Sequence, residues 1–226
     1  MARAKLIRVS VYVASTLAAL TLLVGLLHTS LGRPLLARLG VGCPVQASPE
    51  DVERARRDSA RATRGSEPSP AQPALGFVLD EMTMADAQAW AEREQVSCEE
   101  QRGSTILMCS HVRAAALGGS GGETTDELVL AFSPKTKRLV NIATTEYGLD
   151  GTAAASRMAR IVSNLEEKLG KPTREAGERS ASYLAEAPMR TALVRYRFSD
   201  YQADVTATNM PGKGLMLREH YMSARD

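Results

Sequence analysis

The chain has 226 residues, which leaves room for a membrane anchor and one domain of about 150 residues with a real core. Its formal net charge of +2 is unevenly divided: residues 1–75 hold ten Lys/Arg against five Asp/Glu, a net +5, and residues 76–226 hold 18 against 21, a net −3. A slightly acidic domain without a basic run lacks the electrostatic signature of a nucleic-acid binder, so we expect no nucleic-acid partner.

A nineteen-residue segment from Val9 to Leu27 contains no charged side chain. A helix needs about 20 mostly apolar residues to cross a bilayer, so the segment predicts a transmembrane helix within residues 1–31. Three basic residues precede the segment, and two follow it before the first acid. This charge bias predicts a single-pass protein of the inner (cytoplasmic) membrane, with a cytoplasmic N-terminus and an extracytoplasmic, periplasmic C-terminal domain.

Two alternatives to a retained anchor stay open. A cleaved secretory signal has the same basic start, although its apolar region is usually about 7–15 residues long and ends at a small-x-small site. A lipoprotein is the other alternative, because Gly40-Val41-Gly42-Cys43 resembles a degenerate lipobox. Cys43, however, lies about sixteen residues beyond Leu27.

The segment after the anchor is polar and rich in arginine and proline. Ser48-Pro49-Glu50-Asp51 is typical of a helix start, with an N-capping serine and proline in the first turn, and predicts a helix to about Arg64. Residues 65–73 are a Pro/Ser linker that we expect not to pack. Residues 32–74 are therefore interpreted as a juxtamembrane stalk and linker, followed by an extracytoplasmic domain at residues 75–226.

Three cysteines cannot all pair within one chain. Cys98 and Cys109 are centred on Gly103-Ser104, so a hairpin with a four-residue loop would set them opposite each other. An oxidising compartment predicts a disulfide there; the alternative is two half-buried thiols on neighbouring strands. Cys43 is left as a free thiol, an acylation site or an intermolecular link.

Two amphipathic helices are predicted in the domain. The first runs from a capping Thr83 to about Glu94, with Asp86 in capping-box position. Its expected core side chains are Met84, Ala87, Trp90 and Ala91. The second begins at Gly151 or Thr152 and ends at Gly170. Its apolar stripe comprises Met158, Ile161, Val162, Leu165 and Leu169.

Alternating patterns predict strands joined by short turns, which indicates an antiparallel meander. The predicted strands are 96–100, 105–113, 127–132, 139–147, 191–198, 201–208 and 215–222. The glycine-rich segment 114–125 is expected to be a mobile loop. The fold class is therefore α+β, with two helices packed on antiparallel strands behind the anchor. A helix-then-strands unit occurs twice, about 70 residues apart, and predicts an internal repeat that forms two sheets or one continuous sheet.

The helix end Leu169-Gly170-Lys171-Pro172-Thr173 followed by a meander resembles the small extracytoplasmic domains of the BamE/SmpA type. Two copies of this helix-then-strands unit in one chain are similar in outline to the β-lactamase inhibitory protein. In those families a helix layer packs on an antiparallel sheet, and the domain binds another protein. The resemblance covers residues 76–226 in element order and carries over no binding residue. The anchor and the closing Arg218-Glu219-His220-Tyr221 also resemble bacterial single-pass membrane proteins.

No catalytic motif is recognised, and we expect no cofactor. A metal site needs three or four converging ligands. The chain has three histidines, of which only His111 and His220 could meet, and they are interpreted as surface residues. The tyrosines of the C-terminal strands are more readily core residues; if exposed, they would form a partner surface at Tyr196, Tyr201 and Tyr221.

Binding is therefore the expected function, and catalysis is not. The first hypothesis is an extracytoplasmic domain that binds another protein, an envelope component or a second copy of the chain. The alternative is a small-ligand or lipid-binding module, with the ligand between the helices and the sheet. Dispersed hydrolase residues are the third hypothesis. A deep pocket beside the second helix would favour the alternative, and polar groups converging in a cleft would favour the third hypothesis.

Overall fold

The computed structural model describes residues 48–118 and 124–225. One compact unit begins at Ser48. The transmembrane helix predicted at Val9–Leu27 and the cysteine at position 43 lie outside the described residues. Among the residues that are described, no helix is both long enough and apolar enough to cross a membrane.

Eight strands form one continuous antiparallel sheet in the order β1-β2-β3-β4-β8-β7-β6-β5. The strands are β1 Ser97–Gln101, β2 Ile106–Arg113, β3 Thr124–Phe132, β4 Leu139–Leu149, β5 Arg174–Ala176, β6 Thr191–Arg197, β7 Tyr201–Met210 and β8 Gly214–Ser223. The predicted α+β class with antiparallel strands is confirmed, and of the two arrangements left open the chain adopts the single sheet.

Four α-helices accompany this sheet in the described part of the chain: α1 Pro49–Thr63, α2 Met84–Glu94, α3 Gly151–Leu169 and α4 Ala181–Glu186. Their starts are fixed by side chains that accept backbone N–H groups. Ser48 caps α1. Thr83 and Asp86 form a capping box on α2, as predicted. Asp150 caps α3.

The sheet consists of two halves that meet at their last strands. In the first half α2 is followed by β1–β4, and in the second α3 is followed by β5–β8. Strands β4 and β8 pair from Asn141–Met222 to Leu149–Leu215. This pairing, called the seam below, joins the halves into one sheet.

The core lies on one face of the sheet, called the cleft face, beneath α2 and α3. Successive strand residues point to opposite faces, and on β7 the alternate residues Tyr201, Ala203, Val205 and Ala207 are buried in the same cluster as both helices. Four of the five predicted stripe residues of α3 are buried: Met158, Val162, Leu165 and Leu169. The fifth, Ile161, is half-buried beside the seam.

Helix α1 packs on the other side of the sheet, called the opposite face. Ala60 is buried in a small cluster with Met222 and Ala224. The side-chain amide of Gln202 donates a hydrogen bond of 2.9 Å to the carbonyl of Ala60. The segment expected to be a solvated stalk is therefore in contact with the domain.

The prediction that residues 65–73 do not pack is wrong. The backbone N–H of Ser69 and the side-chain amide of Gln72 donate hydrogen bonds of 2.9 and 2.8 Å to the carboxylate of Asp200. Gly65 lies so close to β6 that an added Cβ would be 2.2 Å from the carbonyl oxygen of Arg197. An acid at the β6–β7 turn thus fixes a segment whose composition alone is typical of a free linker.

The predicted hairpin disulfide is confirmed. Cys98 and Cys109 are directly opposed on β1 and β2, with their Cα atoms 4.0 Å apart and their sulfurs bonded. The loop between the strands covers residues 102–105, as expected. Residues 114–117, expected to belong to a mobile loop, form a 3-10 turn.

Candidate functional site

The three C-terminal tyrosines, for which the sequence favours core positions over an exposed partner surface, lie in the core. Tyr196 and Tyr201 have no exposed surface, and Tyr221 is 3% exposed. All three point to the cleft face, where the helices cover them. An exposed aromatic patch at these positions is therefore excluded, and Tyr221 borders the cavity described below.

The two histidines of the domain lie apart. His220 points to the opposite face at the seam, where its Nε2 is 2.9 Å from Oδ1 of Asn141. Burial, followed by the positive charge of Arg218, lowers the pKa of His220 to about 4. His111 borders a shallow depression with Asp126 and Glu127 that is widely open to solvent. Within the described residues, no three His, Cys, Asp or Glu side chains are arranged to hold a metal ion.

A deeper cavity of about 520 Å³ lies over the seam on the cleft face. We call it the seam cleft. It occurs where the helix of each half covers its own strands and leaves the junction of β4 and β8 between them. Junctions between structural units are common positions for ligand sites, and this volume is within the usual range.

Helix α3 forms one wall of the seam cleft. Residues three, four, seven, eight and eleven positions apart lie along one side of a helix. With a rise of about 1.5 Å per residue, a wall that spans eleven positions is about 16 Å long. The residues it contributes are Arg157, Arg160, Ile161, Asn164, Leu165 and Lys168. Apolar side chains thus lie toward the core, and polar ones toward the rim.

The facing wall consists of residues 72–77 and the 3-10 turn, and Trp90 of α2 fixes both. The ring of Phe77 meets that of Trp90 edge-on at 4.8 Å between centroids. The indole N–H of Trp90 donates a hydrogen bond of 3.3 Å to the carbonyl of Ala116. At the other end of residues 72–77, the hydroxyl of Tyr201 donates to the carbonyl of Pro73 at 2.5 Å.

The floor of the seam cleft carries two carboxylates. Glu146 of β4 forms an ion pair with Arg157 of α3. Glu219 of β8 accepts a hydrogen bond from the hydroxyl of Tyr221, its neighbour on the same face. Both carboxylates border the cavity.

Burial favours the neutral form of the groups at this floor. It raises the pKa of Glu219 above its ordinary value, although the hydrogen bond from Tyr221 and the positive charge of Arg160 act in the opposite direction. Burial, reinforced by the negative charge of Glu219, also raises the pKa values of Tyr201 and Tyr221. A perturbed acid in a cleft is a feature of functional sites.

The arrangement is suited to binding a ligand. Its lining combines apolar side chains with a few converging polar groups, and the residues that border it include no His, Cys or Ser among those described. Sequence reasoning missed Glu219, although the signal was present. Leu215, Leu217 and Tyr221 alternate with Glu219 on the inward face of β8, so an acid occupies a core position.

Comparisons of this chain with protein-family models, curated proteins and solved structures found no match.

Proposed function

We propose that the domain beginning at Ser48 is a binding module that takes a small ligand into the seam cleft. The observation that carries the proposal is the cavity itself, open to solvent above a floor where Glu219 and Tyr221 converge. The cleft lies over the seam, between α3 on one side and residues 72–77 with the 3-10 turn on the other.

We propose binding in preference to catalysis. Covalent catalysis requires a nucleophile activated by an adjacent base. The described lining supplies carboxylates, cations, the amides of Gln72 and Asn164 and three hydroxyl groups, without a serine or cysteine. Arg157 is engaged by Glu146. Proton transfer alone would require a substrate whose reacting atom reaches Glu219, and binding of that substrate is the prior event.

The experiment that tests this function is native mass spectrometry of the full-length chain isolated from its own host. Asn164→Trp places an indole in the cleft from an exposed position of α3, and Ser163→Trp places the same indole one residue away, outside the cleft lining. A ligand is expected on the wild type and on Ser163→Trp and not on Asn164→Trp. A ligand that survives Asn164→Trp would contradict the proposal, as would the absence of any bound molecule.

A second candidate function is the binding of another protein on the opposite face, as the first hypothesis from the sequence states. Half-buried apolar side chains of neighbouring strands lie side by side there: Ile106 pairs with Ala131, and Met108 with Val129. A homodimer or a heterologous partner on this face predicts that Val129→Arg abolishes cross-linking in intact membranes. Unchanged cross-links in Val129→Arg would exclude this surface.

We also propose that the segment Val9–Leu27 anchors the module in the inner membrane with the domain outside the cytoplasm. The support is the uncharged length of the segment and the distribution of basic residues around it. A reporter active only in the cytoplasm, fused after Asp226, is expected to be silent. Activity of that reporter would contradict the orientation.

A further inference from the structure

We infer that the ligand of the seam cleft carries a positively charged group, an amine or a guanidine, that pairs with the carboxylate of Glu219, and an apolar body that lies against the walls. This inference rests on the proposed function, because it names the chemical class of ligand for the same site.

The position of Glu219 is the first reason. It lies between Leu217 and Tyr221 on the inward face of β8 and is paired across the seam with Thr144. The hydroxyl of Tyr221 donates to Oε2 of Glu219. Among the described residues, no basic side chain forms an ion pair with Glu219.

The other floor carboxylate provides the contrast. Glu146 is in direct contact with Arg157, and 15% of the Glu146 side chain is exposed. Glu146 therefore already has a basic partner within the protein. Of the two floor acids, Glu219 is the one without an ion-pair partner among the described residues, so it is the group with which a cationic ligand can pair.

The energetic argument follows from burial. A carboxylate that is largely shielded from water and has no counter-charge is destabilised in its ionised form, so it takes up a proton or acquires a cationic partner. Burial accordingly raises the pKa of Glu219. A cationic ligand would displace that proton and form a charge-assisted hydrogen bond, whereas an anionic ligand would bring like charge to a poorly solvated floor.

Two basic side chains on α3 would repel a positively charged ligand, but only weakly. Arg160 influences Glu219 electrostatically, but its side chain is exposed at the rim. Lys168 is also exposed and lies eight residues farther, about 12 Å along the helix. Repulsion between exposed charges is screened by water and salt, whereas the attraction of Glu219 acts at the half-buried floor, where screening is weaker.

The apolar part of the ligand is assigned from the walls. Phe77 and Leu117 on one side and Leu165 on the other border the cavity, and all three are buried in the core cluster. An amphipathic amine can therefore bury its hydrocarbon against these side chains while its charged head reaches Glu219.

The test is isothermal titration calorimetry of the full-length chain with benzylamine, benzyl alcohol and benzoate, which share a ring and differ in the charge of the head group. Benzylamine is expected to bind most tightly. Glu219→Gln keeps an acceptor for Tyr221 and removes the charge, and it is expected to weaken benzylamine binding about tenfold or more. Arg160→Gln should strengthen benzylamine binding and weaken benzoate binding.

Proton linkage gives a readout that a purely structural role of Glu219 would not change. Benzylamine binding to the wild type should release protons over the pH range in which the carboxyl group of free Glu219 is protonated, which appears as a dependence of the measured enthalpy on the buffer. The Glu219→Gln variant should lose this dependence. Benzyl alcohol should release no protons with either protein.

The outcomes separate the two proposals. If benzoate binds most tightly, or Glu219→Gln leaves benzylamine affinity unchanged, the cationic ligand is excluded while the cleft remains the site. If none of the three probes binds, or binding survives Asn164→Trp, the proposed function itself fails.

Discussion

The two faces of the sheet differ at the seam in how a shielded titratable side chain is paired. Glu219 and His220 are neighbours on β8, point to opposite faces and are both buried enough to favour their neutral forms. His220 is paired in its neutral form with Asn141. Glu219 has only the hydroxyl of Tyr221 and borders an accessible cavity. On the opposite face the titratable side chain therefore has a hydrogen-bond partner within the protein. On the cleft face the carboxylate of Glu219 is positioned to pair with a ligand.

The largest expected effect distinguishes the packing of the two faces. Trp90→Ala removes the side chain that fixes both segments of the facing wall, and we expect a loss of about 3–5 kcal/mol in the free energy of unfolding. Met222→Ala on the opposite face should cost less, because its buried cluster among the described residues has just two other members, Ala60 and Ala224. Urea denaturation measures both. Equal losses would show that the faces are packed alike.

The disulfide is the next largest contribution on the cleft face. Cys98→Ala combined with Cys109→Ala opens the link between the edge strand β1 and its neighbour β2, and we expect a loss of about 2–4 kcal/mol. Reduction of the wild type with dithiothreitol under denaturing conditions should produce a similar loss in urea denaturation. A double variant as stable as the wild type would exclude a stabilising role for this bond.

The pH dependence of stability should have opposite signs on the two faces. The lowered pKa of His220 stabilises the fold above pH about 6.5, and this contribution is lost as the pH falls towards about 4. The raised pKa of Glu219 has the opposite effect. Its contribution to the free energy of unfolding is fully present below the ordinary glutamate pKa and is lost as the pH rises above that value.

Two variants measure these contributions. Relative to the wild type, His220→Gln should gain stability as the pH falls from 6.5 to 4. Glu219→Gln should gain stability as the pH rises from 4 to 8, because it lacks the carboxyl group whose pKa burial raises. Urea denaturation across this pH range checks both. If the difference in free energy of unfolding between each variant and the wild type does not change with pH, or changes in the same direction for both variants, the proposed opposite roles of Glu219 and His220 are contradicted.

The smallest effect concerns the segment that connects the faces. Residues 65–73 lead from α1 on the opposite face to the wall of the cleft, and Asp200 holds them. Asp200→Asn should cost about 1 kcal/mol and increase proteolysis within residues 65–73. Glu67→Gln, at an exposed position of the same segment, is the matched control. Equal protease resistance in both variants would show that Asp200 does not fix the segment.

Local patterns predicted the elements that depend on nearby residues. The capping box at Thr83, the apolar stripe of α3 and the symmetrical spacing of Cys98 and Cys109 each determine structure within a few residues, and all three are observed. Helix α4 and the three-residue β5 were missed, because elements this short have no periodicity to recognise.

The candidate site depended on contacts between distant parts of the chain. The pairing of β4 with β8 joins segments about 70 residues apart, and neither strand specifies its partner. The docking of residues 65–73 required Asp200, which the local composition does not indicate. Glu219 could have been recognised from its inward position on β8, but the cavity above it results from the placement of α2 and α3.

The most direct test of the seam cleft as the binding site is chemical-shift mapping of a fragment library on the ¹⁵N-labelled full-length chain. Fragments that bind the cleft are expected to shift the amides of residues 72–77, of the 3-10 turn at Ala114–Leu117 and of the cleft-facing side of α3. Shifts confined to the opposite face around Met108 and Val129, or the absence of any fragment that binds the cleft, would contradict the assignment of this site.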